Sequence, residues 1–276
     1  MTRLAVVGHV EWIEFVRVPY VPAPGEIVHA SERWQTVGGG GAIVAVDLVR
    51  LGGEVTLYTA LGDDRLGRRA NDELVARGVR VECTFRPEPQ RRCFVHVDDE
   101  HERTITVIGD RMGPNGEDSL AWGELASAAG VYFTAGDEEA LRDARAARVL
   151  VATSRVFDQL ASAHVTLDAL VGSARDAGER YVPGWIHPEP PLVVMTEGER
   201  GGWYVTGEDE RRYDPAPIPG DVVDAYGCGD AFAAGLTYGL ATELSVGETL
   251  SLAARCGAAT LTGRGPYEAP LPAPPL

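Results

Sequence analysis

The segment 224–239 reads D-A-Y-G-C-G-D-A-F-A-A-G-L-T-Y-G, two glycines and an acid followed by a run of small residues. Gly227 and Gly229 remove side chains where the backbone must turn, and the run after them predicts a helix. The backbone N–H groups from Gly227 through Cys228 to Asp230 would then point at one spot at the helix start. Such an anion hole suits the charge that develops on a transferring phosphoryl group.

Asp230 stands at the start of that predicted helix and would face the same spot. A carboxylate in this position can accept the proton of an attacking hydroxyl group. Phosphoryl transfer needs little beyond alignment, charge compensation and an orienting base, so the segment predicts a kinase-type reaction. The residues alone leave one alternative open, a packed strand–turn–helix in which Asp230 only caps the helix.

The elements that must position this turn follow an alternating pattern. Predicted helices separate short apolar stretches that predict strands at 55–61, 131–133, 149–151, 166–171 and 191–195. Strands that alternate with helices at short intervals are typical of parallel βαβ units. We therefore expect an α/β fold with a doubly wound, mostly parallel sheet flanked by helices, and a capping box at 245–248 predicts the start of its last helix.

Two extended regions, about 11–36 and about 80–108, do not fit this alternation. Within the second, a polar turn at 98–102 separates two extended segments, which predicts a hairpin. We expect both regions to form a small β-sheet lid over one edge of a single α/β domain spanning 1–276. The glycine run at 38–41 could be a hinge and substrate wall, or only a flexible joint.

Composition limits the choice of partners. The chain of 276 residues has a formal net charge of −16, which argues against nucleic acid and against anionic membranes. It does not exclude ATP, because backbone N–H groups, a metal ion and a few arginines can bind phosphate inside an acidic protein. The four cysteines show no C-x-x-C spacing, and no leader pattern or long apolar run occurs, so we expect a cytoplasmic protein with reduced thiols.

The segment 224–232, D-A-Y-G-C-G-D-A-F, resembles the later signature of the ribokinase/PfkB carbohydrate kinases, approximately D-T-x-G-A-G-D-x-F. Ala225 stands for the Thr of that signature and Cys228 for its Ala. The earlier family signature is similar to Gly38-Gly39, then Gly52, then G-D-D-R-L-G at 62–67. The T-E-G-E-R-G stretch at 196–201 is similar to the T-x-G-x-x-G strand end of the family, and the resemblance covers essentially the whole chain.

The resemblance implies a ribokinase-like fold and a kinase that uses ATP and Mg²⁺. It implies a catalytic group with Asp230 as base, completed by Gly227, Cys228 and Gly229. It places the substrate between lid and sheet, against Glu11, Glu14, Gly38, Gly39 and Ile43. It places ATP near the last two helices, against Ser173, Thr196, Gly198, Gly201 and Asp224. An indirect magnesium contact is assigned to Asp176.

Three departures from the family pattern affect the predicted site. Ile43 stands where the family has an Asn, and S-A-R-D at 173–176 stands for N-x-x-E. Near the position where the family often has an Asp that binds sugar hydroxyls, this chain has Glu11 and Glu14 instead. Because Ile can neither donate nor accept a hydrogen bond, we predict poor activity on D-ribose and better activity on a less hydroxylated or bulkier alcohol.

The function predicted from sequence is ATP-dependent transfer of a phosphoryl group to a hydroxyl of a sugar or sugar-like molecule. Two alternatives remain, a nucleoside kinase of the same family and a non-catalytic ligand sensor on the kinase fold. The intact G-C-G-D argues against the sensor, whereas Ile43 and Ser173 keep it open. Arg103 could reach a substrate anion or be a solvated charge, His9 could be a base or a structural residue, and a homodimer through the lid is a further hypothesis.

Overall fold

The computed structural model describes residues 1–274, so 275 and 276 of the predicted domain lie outside it. Its strands and helices are, in chain order, β1 (Arg3–Val7), β2 (Glu11–Arg17), β3 (Glu32–Gly38), α1 (Gly40–Arg50), β4 (Glu54–Gly62), α2 (Arg65–Ala76), β5 (Arg80–Arg86), β6 (Arg92–Val97), β7 (Arg103–Ile108), β8 (Gly130–Phe133), α3 (Glu138–Ala144), β9 (Leu150–Thr153), α4 (Phe157–Ala163), β10 (Ala169–Ser173), β11 (Leu192–Thr196), β12 (Gly202–Thr206), β13 (Asp209–Tyr213), α5 (Cys228–Ala241) and α6 (Val246–Thr260).

The large sheet has nine strands in the order β13-β12-β11-β10-β9-β8-β1-β4-β5. Every neighbouring pair from β11 to β5 is parallel, and β12 and β13 add an antiparallel hairpin at one edge. Strands β8 and β9 are buried along their whole length, as expected where helices cover both faces of a parallel sheet. The predicted fold class is therefore confirmed, although the sequence analysis did not anticipate the edge hairpin.

Helices α5 and α6 pack against each other through small residues. A Cβ atom at Gly235 would lie 2.7 Å from Cα of Ala253, so only glycine permits this approach. The predicted capping box at the start of α6 is present, with Ser245 and Glu248 each bonding the backbone of the other. This close packing fixes the direction of α5, whose first turn carries Asp230.

A separate four-stranded sheet, the lid, has the order β3-β2-β6-β7. The predicted hairpin is confirmed, because β6 and β7 pair antiparallel around the turn at 98–102. Residues 80–86, which the sequence analysis assigned to the lid, instead form β5 and pair parallel with β4 in the large sheet. The reason is the βαβ connection through α2, which returns the chain to the same sheet beside β4.

A hydrophobic cluster joins the lid to the loop before α5. Phe15 stacks on Trp34 with ring centroids 4.8 Å apart and meets the edge of Tyr226 at 5.1 Å. Ile13, Val95 and other lid residues complete the cluster. The lid is thereby held over the carboxyl ends of the parallel strands. Within residues 1–274, no helix is both long and apolar enough to cross a bilayer.

Candidate active site

The first turn of α5 is shaped by Gly227. This residue is the N-cap and has φ +86, a left-handed conformation that favours glycine. The first hydrogen bond of the helix runs from the N–H of Ala231 to the carbonyl of Gly227. The N–H groups of Cys228, Gly229 and Asp230 precede that bond and have no acceptor within the helix, which makes this turn a place where an anion can bind.

Asp230 lies against the start of α1 and the end of β8. A Cβ atom at Gly40 would sit 3.3 Å from Oδ1 of Asp230 and 3.1 Å from Oγ1 of Thr134, so these three residues surround one point. Burial and, to a smaller extent, the negative charge of Glu179 raise the pKa of Asp230, the positive charge of Arg103 lowers it, and the net result is a pKa of about 7. A carboxyl group that titrates near neutrality is suited to taking up a proton during catalysis.

The glycine run at 38–41 brings α1 onto the carboxyl end of β1. A Cβ atom at Gly41 would lie 2.9 Å from Cα of Gly8, and Gly39 has φ +84. At Gly39 the same construction places Cβ 3.1 Å from Cγ of Glu11. Side chains here would separate α1 from β1, so the glycines allow the backbone itself to form one wall of the site.

His9 and Glu11 lie against the glycine run that forms this wall. Nε2 of His9 accepts from the N–H of Gly40 at 3.4 Å. Burial lowers the pKa of His9, and the positive charges of Arg111 and Arg91 lower it further, so the imidazole is neutral near pH 7. Glu11 accepts from Nε of Arg91 at 2.6 Å and from Sγ of Cys93 at 2.9 Å.

Two arginines from different parts of the chain flank Asp230. Arg103 begins β7, and Arg155 lies in a short 3₁₀ turn after β9. The positive charges of both lower the pKa of Asp230. The role of Arg103 was left open by the sequence, and in the structure its positive charge lowers the pKa of Cys228 and of Asp230 in the anion-binding turn.

Arg155 is held by two carboxylates beyond the end of β10. It donates to Oδ2 of Asp176 at 2.6 Å and to Oε1 of Glu179. Glu179 also accepts from the N–H of Ser173 at 2.8 Å. The sequence analysis missed Glu179, although an acid three residues beyond the altered 173–176 stretch was the available signal.

These two carboxylates fit an indirect magnesium contact. Residues 1–274 hold no cluster of three or more His, Cys, Asp or Glu side chains that would cage a metal ion. Mg²⁺ that is bound through phosphates and waters needs only one or two protein carboxylates. Each oxygen of both carboxylates already accepts one hydrogen bond, from Arg155, Gly178 or Ser173, so a magnesium-bound water would use a second lone pair of these oxygens.

The predicted nucleotide residues share one sheet edge, with one exception. Ser173 and Thr196 are register partners at the ends of β10 and β11, and Gly198 and Gly201 follow with φ +65 and +73. Asp224, in contrast, is fully buried. Its two oxygens accept from the backbone N–H groups of Tyr226 at 2.8 Å and Gly265 at 2.6 Å, so both are already occupied within the protein.

Two predicted substrate residues are not brought together with the others. Glu14 lies three positions from Glu11 on β2, so strand alternation directs it to the opposite face, where it pairs with Arg33 at 3.2 Å. Ile43 is wholly buried in the hydrophobic cluster beneath the lid. In this conformation Ile43 has no surface to offer a ligand, and its predicted contact is untested.

Comparison with known proteins gives the family of this chain. The pfkB family carbohydrate kinase model matches residues 1–183 and 166–274. The chain belongs to this family. An ATP-dependent ribose-1-phosphate kinase from Halopiger xanaduensis is 29% identical over 290 aligned positions, which cover 98% of this chain and 95% of the relative.

Solved structures confirm the ribokinase-like fold. A ribokinase from Thermotoga maritima superposes with a TM-score of 0.75 at 18% identity, covering 98% of this chain and 97% of that one. An Arabidopsis thaliana ribokinase complexed with ribose and ATP gives 0.74 at 19%, covering 96% and 94%. The fold prediction is confirmed, and family membership makes this protein a carbohydrate kinase, a phosphotransferase that acts on a sugar hydroxyl.

Proposed function

We propose that this carbohydrate kinase transfers the γ-phosphoryl group of ATP to a hydroxyl of a sugar or sugar-like small molecule, with Asp230 as the base. The observation that carries the proposal is the position of Asp230 in the first turn of α5, beside Gly40 and Thr134, with its pKa raised to about 7. Within residues 1–274 its carboxylate accepts no hydrogen bond, so it is available to a ligand.

In this mechanism the acceptor hydroxyl lies between Asp230 and the first-turn N–H groups. A new bond forms from the hydroxyl oxygen to the γ-phosphorus while the bond to the bridging oxygen of ADP breaks, and Asp230 takes the hydroxyl proton. The N–H groups of Cys228, Gly229 and Asp230 would stabilise the charge on the transferring group, and the positive end of the helix would add to this effect.

ATP would lie along the ends of β10 and β11, against Ser173, Thr196, Gly198 and Gly201. Asp176 and Glu179 would hold Mg²⁺ through water. The metal ion would spread the negative charge of the phosphates as they approach the acceptor. We assign Asp224 to holding the turn before α5, because it is fully buried and its two oxygens bind backbone N–H groups.

The acceptor would bind against Glu11, Gly38 and Gly39, next to His9. The ribose-1-phosphate kinase and the ribose complex among the relatives support a pentose or a compound of similar size. The sequence hypothesis that Ile43 makes D-ribose a poor acceptor rests on a wholly buried residue whose Cδ1 is 3.8 Å from where a Cβ atom at Gly227 would lie, and it stays a prediction.

We also propose that the lid pairs two copies of the chain. Strand β7 is an edge strand of the lid, and its Ile105, Val107 and Ile108 are 41%, 46% and 43% exposed. An exposed apolar edge strand is a surface that another chain can cover. A monomer by light scattering across the working concentration range would contradict this pairing.

The proposed reaction is tested by measuring ADP release from MgATP with a panel of sugars, sugar phosphates, polyols and nucleosides. We expect a sugar-type acceptor to support turnover in the wild type and to fail with Asp230→Asn. Asp209→Asn, an exposed substitution on β13, is the matched control. Adenosine emerging as the best acceptor would favour the nucleoside-kinase alternative, and no turnover with any acceptor would favour the ligand sensor.

A further inference from the structure

Two buried nitrogen atoms beside the carboxyl end of β1 have no hydrogen-bond partner within residues 1–274. They are Nδ1 of His9 and Nε of Arg111. Because Nε2 of the neutral His9 accepts from Gly40, the proton is on Nδ1, and both unpaired atoms are donors. A buried donor without an acceptor costs ~1–3 kcal/mol, so two of them together indicate a ligand acceptor that completes this corner of the site.

The loop that carries Arg111 is packed against the site at both ends. Nη1 of Arg91 donates to the carbonyl of Gly109 at 3.5 Å. A Cβ atom at Gly113 would lie 2.8 Å from the N of Gly136, two residues beyond Thr134. Arg111 is therefore held between Arg91 and the carboxyl end of β8, where its charge acts on His9.

Within residues 1–274, Arg111 is also an uncompensated cation of this region, as Arg103 is. Arg91 is paired with Glu11, and Arg155 is paired with Asp176 and Glu179. Arg111 makes no ion pair with an acidic residue in the described part of the chain. Burial lowers its pKa, as do the positive charges of Arg155 and Arg91, so an anion bound here would relieve both desolvation and repulsion.

Among the charges that lower the pKa of His9, at the β1 side of the site, that of Arg111 is the largest, although Arg155 also acts on Arg111. Strands β10 and β11, which carry the proposed nucleotide residues, are three and four places from β1 in the large sheet, and neighbouring strands are ~4.8 Å apart, so their ends lie roughly 14–19 Å from the end of β1. Asp230 lies between them, against the residue that follows β8. A cation on the far side of Asp230 from ATP is placed to meet the acceptor rather than the nucleotide.

Resting on the function proposed above, we infer that the acceptor carries an anionic group of phosphate chemistry, bound by Arg111 and Nδ1–H of His9 with Arg91 alongside. The guanidinium group offers a planar fork of donors that matches phosphate oxygens. The phosphate would occupy the corner beside β1, and the hydroxyl to be phosphorylated would point toward Asp230. The substrate class is then a phosphorylated sugar, and the product carries two phosphates.

The test compares matched acceptors and matched variants. For wild type we expect kcat/KM at least about 100-fold higher for ribose 1-phosphate, ribose 5-phosphate or fructose 6-phosphate than for the neutral parent sugar. Arg111→Met should lower that value roughly 30-fold or more while leaving the neutral sugar within about threefold, and Arg111→Lys should restore part of the loss. The control is Arg142→Met on α3, where the Arg142 side chain is 52% exposed. This variant should change kcat/KM neither for the phosphorylated sugars nor for the neutral sugar.

A binding measurement without ATP makes the two proposals separable. Calorimetry with inorganic phosphate and with the sugar phosphates should detect binding to wild type and Arg142→Met, and at least tenfold weaker binding to Arg111→Met. The same measurement with gluconate, a sugar acid that carries a carboxylate instead of a phosphate, shows which of the two anions the site recognises. Absence of turnover with normal phosphate binding would overturn the kinase proposal and keep the anion site. Neutral sugars as the best acceptors, with Arg111→Met unchanged in both assays, would overturn the anion site and keep the kinase.

Discussion

Two carboxylates, Asp224 and Asp230, bracket the same glycine turn and have opposite surroundings. Asp224 is fully buried, and its oxygens accept the N–H groups of Tyr226 and Gly265. Asp230 accepts no hydrogen bond within residues 1–274 and lies beside Gly40. Burial raises the pKa of both groups; at Asp224 the two backbone hydrogen bonds oppose the rise, whereas at Asp230 the charge of Glu179 adds to it and the pKa reaches about 7.

The contrast shows that one signature contains an acid that builds the site and an acid that can react in it. A carboxylate whose two oxygens accept backbone N–H groups is held in place by them. A carboxylate without donors, next to another acid, can exchange a proton near neutral pH. The residue type is the same, and the supply of backbone donors decides between the two roles.

The largest expected effect comes from removing the reactive acid. Asp230→Asn should lower kcat by ~10²–10⁴, the usual range for losing a general base, while binding of ATP is preserved. Since Asn keeps the shape of the side chain, the melting temperature should not fall. A variant with near-normal turnover on the best acceptor would remove Asp230 from this role.

The second effect is the pH dependence of the same group. Because Asp230 must be deprotonated to accept a proton and its pKa is about 7, kcat/KM should fall roughly tenfold per pH unit below that value. The titration of Asp230 should also affect stability. Between about pH 4 and pH 7 the folded state holds this proton and the unfolded state does not, so the stabilising contribution is lost as pH rises through about 7.

The predicted effect on stability is measured as the difference in the free energy of unfolding between Asp230→Asn and wild type, in which the contributions of other titrating groups cancel. The variant should gain stability relative to wild type on going from pH 5 to pH 8. A pH-independent difference, or a kcat/KM profile that is flat down to pH 5, would contradict the raised pKa.

Much of the fold follows from local sequence patterns, and the errors arise where pairing over long distances decides. The alternation of strands and helices was sufficient to predict the parallel sheet, because that pattern depends on residues that are neighbours in sequence. Residues 80–86 look as extended as the lid strands, and only the return of the chain through α2 gives them β4 as partner. The missed hairpin β12–β13 is a different case, because its strands are neighbours in sequence and only residues 207 and 208 separate them.

The candidate site divides in a similar way. The G-C-G-D turn is local, so its position at the start of α5 was predictable. Arg111 follows β7 and Glu179 follows β10, strands of two different sheets, so only the tertiary fold brings the charge of Arg111 to His9 and that of Glu179 to Asp230. Glu14 could have been separated from Glu11 by sequence alone, since residues three apart on one strand face opposite sides.

The third effect concerns the structural acid. Asp224→Ala removes the acceptor of two backbone N–H groups, and hydrogen bonds to a charged group contribute ~1.5–3 kcal/mol each. We expect a loss of about 3 kcal/mol, which for a chain of this size is a fall of roughly 6–12 °C in melting temperature. If the folded variant at low temperature binds ATP as wild type does, the sequence hypothesis that Asp224 contacts the nucleotide is wrong. An unchanged melting temperature would contradict the structural role instead.

The smallest expected effect distinguishes the two acids at the end of β10. Glu179 acts on the pKa of Asp230 more strongly than any other charge, and its side chain is 16% exposed, against 44% for Asp176. A water-mediated contact contributes less than direct ligation, so we expect Glu179→Gln and Asp176→Ala each to raise the Mg²⁺ concentration for half-maximal activity by about two- to tenfold, with Glu179→Gln the larger. Removing the negative charge of Glu179 should also lower the pKa of Asp230, which shifts the kcat/KM profile to lower pH, whereas Asp176→Ala should leave that profile in place.

Magnesium titrations of both variants that overlay with wild type would locate the metal ion elsewhere. A profile that shifts with Asp176→Ala and not with Glu179→Gln would reverse the assignment of the two acids.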